Sequence, residues 1–220
     1  MSHTAKQSHL APQQQRTLES LQAALRHAGK TIDQARRRAI LQATEAGLNE
    51  IIPVLAIGQD FEHELIELLA ALAKLDGDLA WQHWHRHRDA MDFTTQASTL
   101  IEIVPHLQSA EVVAAALELA RNFPIEPLRP ALVAAIADTR GADERATLYD
   151  EARQIATDIA DPSLRAAGTA YLLSYLPRSE RQALAKRTLA DLAAADLPDH
   201  LREPLQAQIN RALAAGERAE

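Results

Sequence analysis

Residues 161–180 read DPSLRAAGTAYLLSYLPRSE, and this stretch decides the fold. Pro162 precedes a run rich in Ala and Leu, which are among the best helix formers, so the stretch predicts a helix with a defined start. The same order of proline, Leu-Arg and apolar helical run recurs at residues 127–129 and 198–202, about 36 residues to either side. This helix is therefore predicted to belong to a repeating series.

A second type of helix start lies between these units. Helices are predicted to open with Ser109-Ala-Glu, Asp143-Glu-Arg and Ser179-Glu-Arg, and the last two openings are again about 36 residues apart. Each repeat then contains two helices. A two-helix unit of this length is typical of an α-solenoid, because one hairpin cannot bury its own apolar face and stacks on the next.

The composition agrees with an all-α chain. Of 220 residues, 47% are hydrophobic, only seven are glycine and none is cysteine. Ala and Leu make up roughly a third of the chain, which favours helix over strand. The lack of cysteine in the sequence excludes a disulfide framework, thiolate metal sites and a cysteine nucleophile.

About twelve helices joined by short loops are predicted, beginning with a hairpin. Leu18 and Leu25 share one face of its first helix, and Gly29 is predicted to end that helix. Thr31 with Gln34 has the form of a capping box for the second helix. The predicted core face of the second helix consists of apolar residues at helical spacing: Ile32, Ala35, Ala39, Ile40 and Ala43.

From residue 93 to 215, and more weakly from 17 to 92, the chain resembles the tetratricopeptide/HEAT class of helical-hairpin repeats. The resemblance is architectural, since the small residues and the terminal proline recur without the full tetratricopeptide pattern, and no binding residue is carried over. It implies stacked antiparallel hairpins that form a short right-handed α-solenoid. A compact multi-helix bundle is the alternative. Polar tails, the first expected to be disordered, are predicted at 1–16 and 216–220, around a repeat domain spanning 17–215.

Charge is distributed unevenly along the chain. The net charge is −7, but residues 1–40 carry about +5 and the rest about −12. Arg36, Arg37 and Arg38 are consecutive, so they spread around more than half of a helix. The basic N-terminal hairpin predicts a contact with nucleic acid or an acidic partner, with a solvated helix surface as the alternative.

The sequence predicts neither a secretory signal nor a membrane span. Residues 1–16 are polar and lack an apolar core. The longest strongly apolar stretch, from Leu65 to Leu75, is far shorter than the roughly 20 residues that a membrane helix needs. We therefore expect a cytoplasmic protein without membrane contact.

Residues 81–89, WQHWHRHRD, form the most unusual segment. Trp81 and Trp84 lie on an apolar stripe that is interrupted at His87 or Arg88. One interpretation is a snorkelling Arg88 beside a hydrogen-bonded His87 at the edge of a helix interface. Another is a partner contact through exposed Trp beside Arg, which is enriched in binding hot spots.

The histidines of this segment suggest two further hypotheses. His83 and His87 are four residues apart and could chelate a metal ion, although no third ligand follows at helical spacing. With His85, they could instead make a partner contact sensitive to pH. Elsewhere, Tyr171 and Tyr175 form an i, i+4 pair that is predicted to lie in the core.

No complete catalytic set is present in the sequence, so the leading expectation is a non-enzymatic scaffold or adaptor. It would bind another protein along the helical-repeat surface and need no cofactor. The expected contact residues are Trp81, Trp84, His87, Arg88, Arg36 and Arg37. The alternatives are a helical subunit that touches nucleic acid through the basic hairpin, and a metal-binding enzyme that uses His83 and His87. Self-association is also open.

Overall fold

The computed structural model describes residues 10–195 and 197–216. This part of the chain contains eleven α-helices and no strand, so the predicted all-α class is confirmed. The α-helices are α1 (Pro12–Gly29), α2 (Gln34–Ile57), α3 (Glu62–Ala73), α4 (Gly77–His87), α5 (Phe93–Ile103), α6 (Ala110–Arg121), α7 (Arg129–Ala137), α8 (Ala142–Asp158), α9 (Pro162–Leu172), α10 (Arg178–Ala194) and α11 (Asp199–Gly216). Short 3₁₀ turns lie at Gln59–Phe61, Arg88–Ala90, Val104–His106, Glu126–Leu128 and Leu173–Tyr175.

The boundaries differ from the prediction at both ends of the chain. The first helix starts at Pro12, so residues 12–16 are helical and the predicted tail is too long. Proline is favoured at the first helical position, and the Gln14 side chain accepts a hydrogen bond from the Ala11 amide at 3.0 Å. At the other end, α11 includes Gly216. The predicted tails at 1–9 and 217–220 lie outside the described residues.

The chain divides into two compact units between Val112 and Val113, inside α6. In unit 1, α1 packs on α2 and α3, α3 packs on α4 and α5, and α2 packs on α4. The centre of this unit is α3, whose fully buried face is aliphatic and comprises Leu65, Leu68, Leu69 and Leu72.

The buried face of α2 is not the predicted one. Asp33, not Thr31, caps the helix, because its carboxylate accepts hydrogen bonds from the Ala35 and Arg36 amides. Ile32 therefore precedes the helix and is 95% exposed. The buried side of α2 carries the larger residues Leu41, Thr44, Leu48, Ile51, Ile52, Leu55 and Ala56, whereas Ala35, Ala39 and Ala43 face outward and Ile40 is half-buried.

Helix α2 is long and apolar enough to cross a membrane, judged by length and composition alone. About 39% of its most apolar window is buried inside the structure, and Pro53 lies within the helix. The core helices of soluble proteins meet the same criteria, so this match is weak evidence for a membrane span.

In unit 2, α9 packs on α7, α8, α10 and α11, while α7 packs on α8 and α10 packs on α11. Every residue of α7 from Pro130 to Ala137 is buried. Two ion pairs connect helices of this unit, Arg121 to Glu151 and Arg153 to Glu180. The core between α9, α10 and α11 contains Ala166, Ala170, Leu173, Ala185, Leu192 and Ile209.

The sequence repeat around Leu-Arg corresponds to a recurring contact in unit 2. An arginine near the start of each helix donates back to a carbonyl that ends the preceding segment: Arg129 Nε to Phe123 at 2.7 Å and Arg165 Nη1 to Ile159 at 2.7 Å. Arg202, Arg145 and Arg181 make the same kind of bond. We call these five residues the arginine clamps. They satisfy carbonyls that a helix end leaves without intrahelical partners.

Candidate functional site

The tryptophan segment, for which an exposed partner contact was one of two interpretations, belongs to the core of unit 1. Trp84 is fully buried and Trp81 is 6% exposed, so neither can offer a contact surface. The two rings stack with centroids 5.3 Å apart. The prediction of exposed tryptophans is wrong because the apolar stripe that carries them packs inward on α2, α3 and α5, the helices that surround α4.

The polar groups around Trp84 hold α4 to α5. The indole Nε1 of Trp84 donates to the Gln96 carbonyl at 3.3 Å. The Gln96 side-chain amide donates to the carbonyls of Arg88 and Met91 at 2.9 and 3.1 Å. The Arg88 guanidinium lies 6.0 Å from the Trp84 ring centroid, in agreement with a snorkelling side chain. Packing between α4 and α5 therefore explains the polar residues around Trp84.

The three histidines of the segment differ in exposure. His83 is 3% exposed, and its Nδ1 has no hydrogen-bond partner among the residues that the structure describes. Burial, followed by the charges of Arg86 and His87, lowers the pKa of His83, and Glu45 opposes this shift. His87 is half-buried and its pKa is also lowered, mainly by burial. His85 is exposed and stacks on Trp81.

The fold brings no third metal ligand to His83 and His87 in the part of the chain that the structure describes. Within the described part of the chain, no group of three or more His, Asp or Glu side chains is arranged to hold a metal ion. His83 is also enclosed, which restricts the approach of a hydrated ion. The two histidines therefore offer a pair of ligands only.

The basic N-terminal hairpin is partly engaged in its own structure. The Arg37 guanidinium donates from Nη2 to the Thr31 carbonyl at 2.9 Å and is half-buried. Arg36 and Arg38 are exposed, and so are Arg26 and Lys30 beside the turn between α1 and α2. Arg37 thus contributes to the turn, whereas Arg26, Lys30, Arg36 and Arg38 face solvent.

The exposed surface of α9 was not identified from the sequence. Leu164 is 42% exposed and Tyr171 is 43% exposed, although four α-helices pack against α9. The two residues are seven positions apart and therefore lie on one face, two turns from each other. Tyr171 was predicted to be in the core, and that prediction is wrong; Tyr175 is half-buried. We call Leu164 and Tyr171 the α9 ridge.

Packing explains why large apolar side chains of α9 are exposed while small ones are buried. Most of the buried positions of this helix are small, including Ala166, Gly168 and Ala170, although Leu172 is also fully buried. A Cβ on Gly168 would lie 3.0 Å from Ile159 Cδ1. A helix that has neighbours on several sides needs small residues at those contacts. Leu164 and Tyr171 lie on the outer face of the helix. The placement of the small residues was the available signal in the sequence.

No known protein family, curated protein or solved structure shows a significant match to the chain.

Proposed function

We propose that this chain is a non-enzymatic helical-repeat module that binds another protein, and that the α9 ridge is part of the binding surface. The observation that carries the proposal is the exposure of Leu164 and Tyr171 on α9, the helix against which four other α-helices of unit 2 pack. Large apolar side chains on one face of a packed helix mark a surface where a partner can remove them from water.

The packing order within each unit supports the repeat interpretation. In unit 1, α1, α3 and α5 pack successively on one another, and in unit 2, α7, α9 and α11 do the same. The intervening helices pack on these odd-numbered helices. Alternation of this kind is typical of stacked hairpins, whose neighbours along the chain are neighbours in space. It favours a short α-solenoid over a bundle within each unit.

The connections between even-numbered helices agree with this interpretation. In unit 2, α6 and α8 are joined by Arg121 and Glu151, with bonds of 2.5 and 2.9 Å, and α8 and α10 by Arg153 and Glu180. Long side chains span these gaps, whereas α7, α9 and α11 approach closely through small residues. A stack whose two layers differ in spacing is curved, and curvature creates the binding surfaces of repeat proteins.

The test is quantitative affinity capture from cells of the source organism with the full chain as bait, followed by a binding titration. We expect a partner that binds saturably and near stoichiometrically. Replacing both ridge residues, Leu164→Ser with Tyr171→Ser, should weaken its Kd at least about tenfold, since truncated hot-spot residues commonly cost more than 1 kcal/mol each.

The matched control is Ile57→Ser, which removes another exposed apolar side chain, 73% exposed, in unit 1. This variant should bind the partner like the wild type. A partner that binds the ridge variant as tightly as the wild type would eliminate the α9 ridge from the interface. A chain that retains no saturable partner would contradict the scaffold function itself.

A second candidate function rests on the four solvent-facing cations near the α1–α2 turn. Exposed Arg36 and Arg38, with Arg26 and Lys30, could neutralise phosphates of a nucleic acid. Fluorescence anisotropy with labelled RNA and duplex DNA should then show binding that weakens steeply with salt. Arg36→Ala with Arg38→Ala should reduce the affinity and the salt slope, whereas unchanged binding would exclude this hairpin as the contact.

A further inference from the structure

A cleft of about 480 Å³ lies within unit 2, between the end of α8, the first half of α9 and the second half of α10. Its volume is in the range of small-ligand sites. Its polar lining is formed by Thr157, Arg165, Thr169, Arg187, Thr188 and Asp191. No part of this cleft coincides with the α9 ridge.

The three threonines of the cleft differ in what they offer a ligand. The hydroxyls of Thr157 and Thr188 donate to the carbonyls of Arg153 and Leu184, so they can only accept a further hydrogen bond. Thr169 is 3% exposed, and its hydroxyl makes no hydrogen bond to any residue in the described ranges. Thr169 lines the cleft, and because its hydroxyl is not engaged by a described carbonyl, it can donate a hydrogen bond to a ligand.

The two arginines of the cleft provide further donors. Arg165 uses Nη1 for the Ile159 carbonyl at 2.7 Å, which fixes the side chain while leaving its other N–H groups for a ligand. Arg187 is exposed and has no ion pair or hydrogen bond within the described part of the chain. Asp191, one helical turn after Arg187, places a negative charge in the same cleft without pairing at salt-bridge distance to a described residue.

We propose that this cleft binds a small ligand through an oxyanionic group, a phosphate or a carboxylate. Arg187, the remaining N–H groups of Arg165 and the Thr169 hydroxyl donate to its oxygens. Asp191, Thr157 and Thr188 are acceptors, so they suit a ligand that also carries a hydroxyl or amino group. Charge-assisted hydrogen bonds from arginine to such oxygens are about twice as strong as neutral hydrogen bonds.

The proposal is independent of the protein-binding function, since it uses other side chains and predicts a small ligand. It depends on the Arg165 guanidinium, which a backbone carbonyl holds in place, and on the Thr169 hydroxyl, which lines the same cleft. Thr169 is the discriminating residue, because a valine there has nearly the same shape and lacks the hydroxyl. A serine at the same position keeps the hydroxyl.

The experiment titrates the full chain with inorganic phosphate and, separately, with acetate in a Tris chloride buffer, monitored by amide shifts in NMR spectra. We expect saturable shifts at residues 157, 165–169 and 187–191 with one of the two anions binding more tightly, which identifies the preferred group. Arg187→Gln should weaken that Kd at least about tenfold. Thr169→Val should weaken it severalfold, and Thr169→Ser should bind like the wild type.

Lys186→Gln is the matched control, since Lys186 is exposed next to Arg187 and does not line the cleft. Equal loss of affinity in Lys186→Gln and Arg187→Gln would show diffuse charge attraction and overturn the proposal. It would also fail if neither anion gave saturable shifts up to about 50 mM. Urea unfolding of each variant verifies that altered binding does not reflect a damaged fold.

Discussion

At the scale of single residues, Gly77 shows how closely two segments of unit 1 approach. A Cβ at this position would lie 2.1 Å from the His106 carbonyl oxygen and 2.4 Å from its carbon. The neighbouring Asp78 carboxylate accepts hydrogen bonds from the amides of Gln108 and Ser109, both at 3.1 Å. The start of α4 is therefore fixed to the segment that leads into α6.

Replacing this glycine tests that approach. Gly77→Ala should lower the free energy of unfolding by about 2 kcal/mol or more, because backbone atoms must move to admit the methyl group. The measurement is urea unfolding followed by circular dichroism. Gly29→Ala is the control, since its Cβ would meet only Leu75 at 3.8 Å and alanine favours helix. Equal stability of the two variants would contradict the close contact at Gly77.

The burial of His83 predicts a dependence of stability on pH. Its pKa is lowered in the folded chain, so as the pH falls below about 6.5 the unfolded chain binds a proton first. The contribution of neutral His83 to the free energy of unfolding is therefore fully present above about pH 6.5. It decreases as the pH falls toward the pKa that His83 has in the folded chain. The charged groups around it are Arg86 and His87 on α4 and Glu45 on α2.

His83→Leu should reduce the decrease in unfolding free energy between pH 7.5 and pH 5.5, because this variant has no buried imidazole to protonate. Urea unfolding at a series of pH values measures the slope. His85→Gln changes an exposed histidine of the same helix and should retain the wild-type slope. An unchanged slope in His83→Leu would assign the acid sensitivity to other groups.

At the scale of secondary-structure elements, the arginine clamps connect the end of one segment to the start of the next helix. Arg129→Ala should lower the unfolding free energy by about 1–2 kcal/mol, since the Phe123 carbonyl loses a charged donor at 2.7 Å. Arg129→Lys should recover little of this, because an ammonium lacks the planar geometry of the guanidinium. Thermal and urea unfolding provide the measurement.

Arg211→Ala is the comparison for the clamp variant, since Arg211 is exposed on α11 and has no hydrogen bond or ion pair to the described residues. Its stability should stay within about 0.5 kcal/mol of the wild type. If Arg129→Ala were equally neutral, the carbonyl would be satisfied as well by water, and the clamp would be an incidental contact.

The sequence predicted most helices and the buried face of α1, but not the buried faces of α2 and α9. Prolines, caps and the 3.6-residue period identified most helices, and α9 begins at Pro162 as predicted. The faces were harder where both sides of a helix are apolar. In α2, the alanines that appeared to form the core face are exposed, and in α9 the small residues are inside. Which apolar side is buried depends on neighbouring helices, and a single sequence does not specify these.

The candidate sites were also predicted only in part from the sequence. The tryptophan segment was recognised as unusual, and its features reflect core packing and the Trp84–Gln96 hydrogen bond. The α9 ridge was missed because Tyr171 and Leu164 resemble core residues when only their type is considered. The cleft was missed because Thr169 and Arg187 come from different helices, and their proximity arises only in the folded chain.

At the scale of the whole molecule, the two units are expected to differ in their response to a local core defect. Leu173 is fully buried in unit 2, and Leu173→Ala should cost about 2–5 kcal/mol through lost burial and a cavity. Amide hydrogen exchange of the variant should accelerate more in residues 113–216 than in residues 10–112. Uniform acceleration along the chain would show that the two units unfold as one.

The arginine clamps also have a consequence for how rapidly the chain folds. Each clamp bonds a side chain to a carbonyl only five to seven residues earlier. Loops of this length close within about 100 ns, and a topology dominated by neighbouring helices has a low contact order. Nucleation can therefore begin at any clamped turn, and refolding is expected on the microsecond to millisecond timescale of helical proteins.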